Sequence, residues 1–292
     1  MRPPFPFYLL LAAILVGLPM AACAVEEPTP QLIALPTSAA TSTPAPPTAT
    51  ATPVPTAVIA TLPPTATPLP TPGPCSHLLW PLREGAAWTY RLTTPTGSSD
   101  VTLMVSAVDA GATLITSTGQ MAVLYCGVGA LAGLPPLPIG HPDLGFGLTG
   151  LNPSGDYLPA AATLLPLGQP VTWDEELDAA GEVILPFSAT PLAVSGGKIV
   201  LISEAQALTS ISVPAGEFLA LPVRQDVFFD ITAALPDGSS QHVVISATIT
   251  AYFAEDVGLI GITYAGGAIS APIGAWPLAA GATLELLSFS IP

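Results

Sequence analysis

Five acidic side chains crowd between positions 174 and 182: Asp174, Glu175, Glu176, Asp178 and Glu182. Carboxylates at such spacing hold a hard cation such as Ca²⁺, work as an acid–base pair on a glycosidic bond, or solvate an exposed strand. Side chains alternate along a strand, so Asp174, Glu176 and Asp178 share a face, and a turn through Gly181 would bring Glu182 beside them. The run lacks the glycine at the sixth and the glutamate at the twelfth position of an EF-hand loop. A solvated hairpin edge that discourages edge-to-edge pairing is therefore the expected role, and neither a metal nor another cofactor is expected. His77, His141 and His242 are scattered, and there is no G-x-S-x-G, no H-E-x-x-H and no glycine-rich loop followed by lysine. The expectation is a non-enzymatic protein, with an extracellular hydrolase built on paired carboxylates as the enzymatic alternative.

The second stretch with binding chemistry is 127–159, which has eight Gly, six Pro and neither Lys nor Arg. Leu131, Leu134, Leu137, Ile139, Leu144, Phe146, Leu148 and Leu151 run along it. Linkers are polar, so an apolar irregular loop must lie on something. Either it straps one end of the core, the expected arrangement, or it is a lid over a ligand cavity with Leu137 and Phe146 facing the ligand. A dry cavity of several hundred Å³ against it would favour a carrier of an apolar ligand.

The elements that position these residues are strands. In 241–253, Val243, Ile245, Ala247, Ile249, Ala251 and Phe253 take one face while His242, Ser246, Thr248, Thr250 and Tyr252 take the other. Pro236-Asp237-Gly238-Ser239 is a turn, and 219–231 alternates before it, so the two strands read as a long antiparallel hairpin. Further strands are expected at 86–93, 101–108, 121–126, 171–177, 182–187, 198–204, 208–213, 257–265 and 282–290. Glycine, proline and serine punctuate them, which points to an all-β class: a curved antiparallel sheet, sandwich or open barrel. Pro81-Leu82 before Trp88 and Pro166-Leu167 before Trp173 repeat one spacing, which reads as a rigid turn ahead of a strand whose aromatic plugs one end of the core.

The 292 residues carry a net charge of −15, with five basic residues in all, so no patch exists to neutralise phosphates and a nucleic-acid partner is excluded. Residues 1–22 run from Arg2 through an apolar stretch to small residues, the order of a secretory signal. Met20-Ala21-Ala22-Cys23 resembles the bacterial lipobox, with Met20 where that family prefers Leu. The resemblance implies cleavage before Cys23, acyl chains on its thiol, and anchoring to a membrane of the bacterial cell envelope. Residues 23–74 follow as a linker, and 24–74 hold 14 Pro, 12 Thr and 10 Ala. Proline removes donors and fixes φ, which blocks helix and sheet and predicts a semi-rigid, extended, disordered stalk. With Cys23 lipidated and the chain exported, Cys75 and Cys126 remain, and an oxidising compartment favours a disulfide between them. It would close a loop of 52 residues, worth about 4 kcal/mol in the chain-entropy treatment. Two buried free thiols are the alternative.

Within 75–292, the β-rich extracytoplasmic domain, three further segments carry a likeness. Pro81-Leu82 with Gly85, Trp88 and Tyr90, then Val213-Pro214-Ala215-Gly216-Glu217-Phe218, then Tyr252 with Ala254, Val257, Gly258 and Leu259 resemble successive landmarks of an uncharacterised group of bacterial envelope lipoproteins. Similar sheets occur in LolA- and LolB-like carriers, where a curved antiparallel sheet wraps an apolar cavity. That likeness implies a fold and a location but no activity. The expected function is a membrane-anchored surface lipoprotein whose β domain binds a protein, glycan or apolar ligand or acts as a scaffold. An apolar-ligand carrier is the second reading and a hydrolase the third.

Overall fold

The structure is a computed structural model that describes residues 73–148, 152–185, 188, 190–235 and 238–292. Residues 1–72, where the signal, Cys23 and the stalk are expected, lie outside the described residues. Two short strands, β1 (Ser76–His77) and β2 (Trp80–Pro81), pair with each other. A meander follows: β3 (Ala87–Thr94), β4 (Gly97–Val108), β5 (Gly111–Thr116), β6 (Met121–Gly127) and β7 (Ala130–Ala132). After segment 133–144 come β8 (Gly145–Leu148), β9 (Pro153–Gly155) and a single helical turn, α1 (Ala161–Leu164). The rest is β10 (Val171–Asp178), β11 (Gly181–Ile184), β12 (Leu192–Ala205), β13 (Thr209–Val213), β14 (Gly216–Ala234), β15 (Ser240–Ala254), β16 (Gly258–Ala271), β17 (Gly274–Leu278) and β18 (Thr283–Ser290).

All but β1 and β2 join one antiparallel sheet, in the order β7-β6-β5-β4-β3-β18-β16-β15-β14-β12-β10-β9, with β8, β11, β13 and β17 extending its margins. The fold is thus all-β, and the expected strands are present, several of them longer than the alternation alone marks; the strand expected at 182–187 ends at Ile184, and residues 186 and 187 lie outside the described residues. The β14–β15 hairpin pairs from Ala220↔Ala254 to Ala234↔Ser240, closed by Leu235 N–H on the Ser239 carbonyl at 2.8 Å. Its inward face is the alternating set Val223, Val227, Phe229 and Ile231 against Ile245, Ala247, Ile249 and Phe253, all buried. Val213↔Gly216 closes the β13–β14 hairpin across Pro214 and Ala215. Segment 127–159 is less irregular than its composition suggests: β7, β8 and β9 interrupt it.

The sheet curls until its two ends meet. Leu131 in β7 and Leu158, just past β9, exchange backbone hydrogen bonds of 2.8 and 2.9 Å, and this bridge makes the sheet a nearly closed barrel. The bridge brings together, over a short stretch, the two edges that a sheet this long would otherwise present to other chains. The Cys75–Cys126 disulfide ties the first described residues to the end of β6, beside that seam.

The barrel is stopped at both ends. At one end Trp80 is fully buried among Trp88, Tyr157 and Phe253, with ring centroids 6.1–6.3 Å apart. Two of the three landmark segments meet here: Trp88 Nε1 donates to the Val257 carbonyl at 2.7 Å, and Tyr90 Oη to the Leu259 carbonyl at 2.9 Å. Between those carbonyls Gly258 has φ +110°, and a Cβ there would lie 2.8 Å from the Trp80 ring. The Gly in that motif is therefore required by close approach as well as by conformation. The two copies of the Pro-Leu…Trp spacing differ: Trp88 is fully buried in the core, whereas Trp173 is half-buried and packs against it. At the other end, segment 133–144 crosses the opening.

Candidate functional site

Segment 133–144 is a strap built of Leu134, Pro135, Pro136, Leu137, Pro138, Ile139 and the Gly140-His141 corner. Prolines have no N–H, so the segment cannot join a ladder, and it is held instead through its carbonyls and side chains. Tyr264 Oη donates to the Pro138 carbonyl at 2.6 Å. His141 Nδ1 accepts from the Asp143 N–H at 3.2 Å, which leaves Nε2–H to donate to the Ala279 carbonyl at 2.6 Å. Gly140, at φ +86°, comes so close to Phe229 that a Cβ would lie 3.2 Å from the ring. Leu134, Leu137, Ile139 and Leu144 are all buried. The strap therefore packs as the end of the core, and it also leaves a void.

That void is a cavity of about 310 Å³ between the strap, the β5–β6 turn and Phe229 of β14. Its walls are Leu134, the three prolines, Leu137, Ile139, Leu144, Ala122 and Phe229, with Gln120 and Met121 also lining it. Leu137 thus faces the cavity, as a lid residue would, while being 7% exposed, as a strap residue would. The backbone of Phe146 pairs with Val183, and its side chain lies outside the described residues. Gly145 and Gly147, on either side of it, reach the cavity. Strap and cavity, posed by the sequence as alternatives, coexist here.

The acidic run is arranged differently from the expectation. Asp174, Glu176 and Asp178 do share the outer face of β10, but Lys198 Nζ sits 2.8 Å from both Glu176 Oε1 and Asp178 Oδ1. The ammonium holds the Asp178 carboxyl below the usual carboxylate range. Gly181 does not turn the chain back. β10 and β11 both pair with β12, in line, with Asp178 opposite Lys198 and Glu182 opposite Ala193. Glu182 therefore lies about 13 Å further along the same direction, at about 3.3 Å per residue, and the run is not a hairpin edge. β12 is long enough, Leu192–Ala205, to pair with β10 along one part and β11 along the next. Among the described residues, no three His, Cys, Asp or Glu side chains gather as a metal-holding group.

Glu175, the alternate position in the run, turns inward and is 1% exposed. Its Oε1 accepts the Gly133 N–H at 2.5 Å, which pins the root of the strap to β10 across the seam, while Oε2 has no hydrogen-bond partner. Burial pushes this carboxyl up to about 7, the Gly133 N–H pulls it down, and the nearby Asp156 charge pushes it up further. Alternation already placed Glu175 opposite Asp174 and Glu176, so its inward direction was readable. Its partner, 42 positions away, was not. The other titratable candidates are occupied structurally. His77 Nδ1 accepts from Leu79 N–H at 3.0 Å and Nε2 bonds the Pro159 carbonyl at 2.9 Å. Exposed His242 pairs with Asp230, and Cys75 and Cys126 are bound to each other.

No protein-family model matches the chain, and no curated protein sequence matches it. Two solved structures show a distant likeness to the chain. One, from Bacteroides fragilis, is described as a presumed exported protein with a YmcC-like fold. It is 12% identical, with a TM-score of 0.41, over 74% of this chain and 100% of that one. The other is described as a presumed lipoprotein from Parabacteroides distasonis. It is 13% identical, with a TM-score of 0.33, over 73% of this chain and 99% of that one.

Proposed function

We propose that this protein is a lipid-anchored lipoprotein of the bacterial cell envelope. Its Pro/Thr/Ala-rich stalk holds a non-enzymatic β-barrel binding domain away from the membrane. The observation that carries the reading is the Cys75–Cys126 disulfide, a bond typical of proteins outside the reducing cytoplasm, placed where the stalk joins the barrel. The signal-like segment 1–22 and Cys23 at its end supply the address. Cys23→Ser tests it: palmitate labelling should disappear and the protein should leave the membrane fraction. Unchanged labelling and membrane association would overturn the anchor.

A second reading, a carrier of an apolar ligand, is favoured by the cavity of about 310 Å³ against the strap. Binding pockets for small molecules span about 300 to 1,000 Å³ and are lined mainly by apolar side chains. This one meets the lining criterion and sits at the small end of the range.

A further inference from the structure

Resting on the carrier reading, we infer that the strap-end cavity binds one small uncharged aliphatic molecule, of the kind and size of a medium-chain alcohol. Volume sets the size: about 310 Å³ admits a single short chain, and a lipid with several acyl chains has no room. Chemistry sets the charge. Among the described residues no ionisable side chain lines the cavity, and the one polar side chain there is Gln120, an amide that can both donate to and accept from a hydroxyl.

An anionic headgroup would find no cation to meet it. Arg83 donates to the Pro292 carbonyl, Arg91 pairs with Asp100, Arg224 with Asp226, and Lys198 with Glu176 and Asp178. None of these four lines the cavity, and a net charge of −15 repels a carboxylate at longer range. A cationic headgroup would find no carboxylate among the described residues of the wall.

The walls are set before a ligand arrives. Three prolines fix their own φ, Tyr264 holds the Pro138 carbonyl, and Phe229 backs Gly140. The adaptable part is Met121, whose flexible thioether is 65% exposed beside the cavity and can repack around different chains.

The test uses the full chain from residue 23 onward carrying Cys23→Ser, so that no detergent competes for the cavity. N-phenyl-1-naphthylamine, an uncharged fluorophore, is titrated at pH 8 and displaced by decanol, decanoate or decyltrimethylammonium. Saturable one-to-one binding is expected, with decanol displacing at least tenfold more effectively than either ionised chain. Ala122→Phe, which fills the cavity, should weaken probe binding at least tenfold. A decanol-dependent rise in the melting temperature of the chain without that substitution gives the same answer should Ala122→Phe disturb folding. If an ionised chain competes as well as decanol, the uncharged-ligand inference falls while the carrier reading stands. If no probe binds saturably and decanol leaves the melting temperature unchanged, both fall.

Discussion

The two stoppers of the barrel solve one problem with different residues. Each uses a histidine in the same way: Nδ1 accepts the N–H two residues on, from Leu79 or Asp143, and Nε2 reaches a distant carbonyl, of Pro159 or Ala279. Beyond that they diverge. The first stopper is aromatic, with Trp80 seated among three rings and the disulfide beside it. Large flat side chains fill a barrel end to close density. The second stopper is a run of Leu, Pro and Ile, whose rigid backbone cannot bend inward to fill what its short side chains leave. Proline fixes a wall and does not fill a space, which is why the cavity is at that end.

The largest expected effect tests that difference directly. Trp80→Ala should cost about 3–5 kcal/mol of unfolding free energy, the range for removing a fully packed aromatic. Leu137→Ala should cost only about 2 kcal/mol, the low end for leucine, because one side of Leu137 already faces the void. Denaturant unfolding of the Cys23→Ser chain measures both. Equal costs would mean that the strap end is as tightly filled as the tryptophan end.

A smaller effect sets the two ends against each other in pH. Glu175, at the root of the strap, has a folded value raised by burial from 4.5 to about 7. A raised carboxyl contributes stability that is fully present below 4.5 and lost as the pH climbs through about 7. The loss amounts to about 3 kcal/mol at pH 8. His77, at the tryptophan end, is held below 6.5 by burial, so its contribution is present above that pH and fades as the pH falls. Glu175→Gln keeps the acceptor for Gly133 and removes the charge. It should raise stability at pH 8 by up to about 3 kcal/mol and close the gap near pH 4. Chemical unfolding across that range checks it, and a gap independent of pH would show that Glu175 is not carrying its charge into the interior.

Much of the barrel was legible because its strands are amphipathic on a two-residue period. Alternation located the β14–β15 hairpin and put Val243, Ile245, Ala247, Ile249, Ala251 and Phe253 on one face, which the structure shows to be the buried one. Closure was not legible. Leu131 and Leu158 meet through two backbone bonds that no side-chain pattern encodes, and β7 and β9 are only three residues each. The cavity was half legible. An apolar, glycine- and proline-rich segment announced that it must cover something. Nothing local told that Gln120, the first residues of β6 and Phe229 would form the opposite wall. For Glu182 the sequence misled: a glycine between two strands reads as a turn, yet at Gly181, φ +120°, the chain goes on along β12 from β10 into β11.

The smallest expected effect is also the most discriminating, because each end has a buried tyrosine hydroxyl on a backbone carbonyl. Tyr264 Oη donates to Pro138 at 2.6 Å in the strap, and Tyr90 Oη donates to Leu259 at 2.9 Å near Trp80. Tyr264→Phe and Tyr90→Phe remove the same group from comparably buried sites, so each should cost about 1 kcal/mol. Their effects on ligand binding should differ. Loosening Pro138 frees one wall of the cavity and adds ordering that the ligand must then impose, so Tyr264→Phe should weaken N-phenyl-1-naphthylamine binding several-fold. Tyr90 touches no part of that wall, and its substitution should leave the binding curve in place. If both substitutions shift the curve equally, probe binding reports general stability, and the strap has no special part in holding the site open. If only Tyr264→Phe shifts it, the proline strap shapes the cavity and the aromatic stopper only closes the barrel.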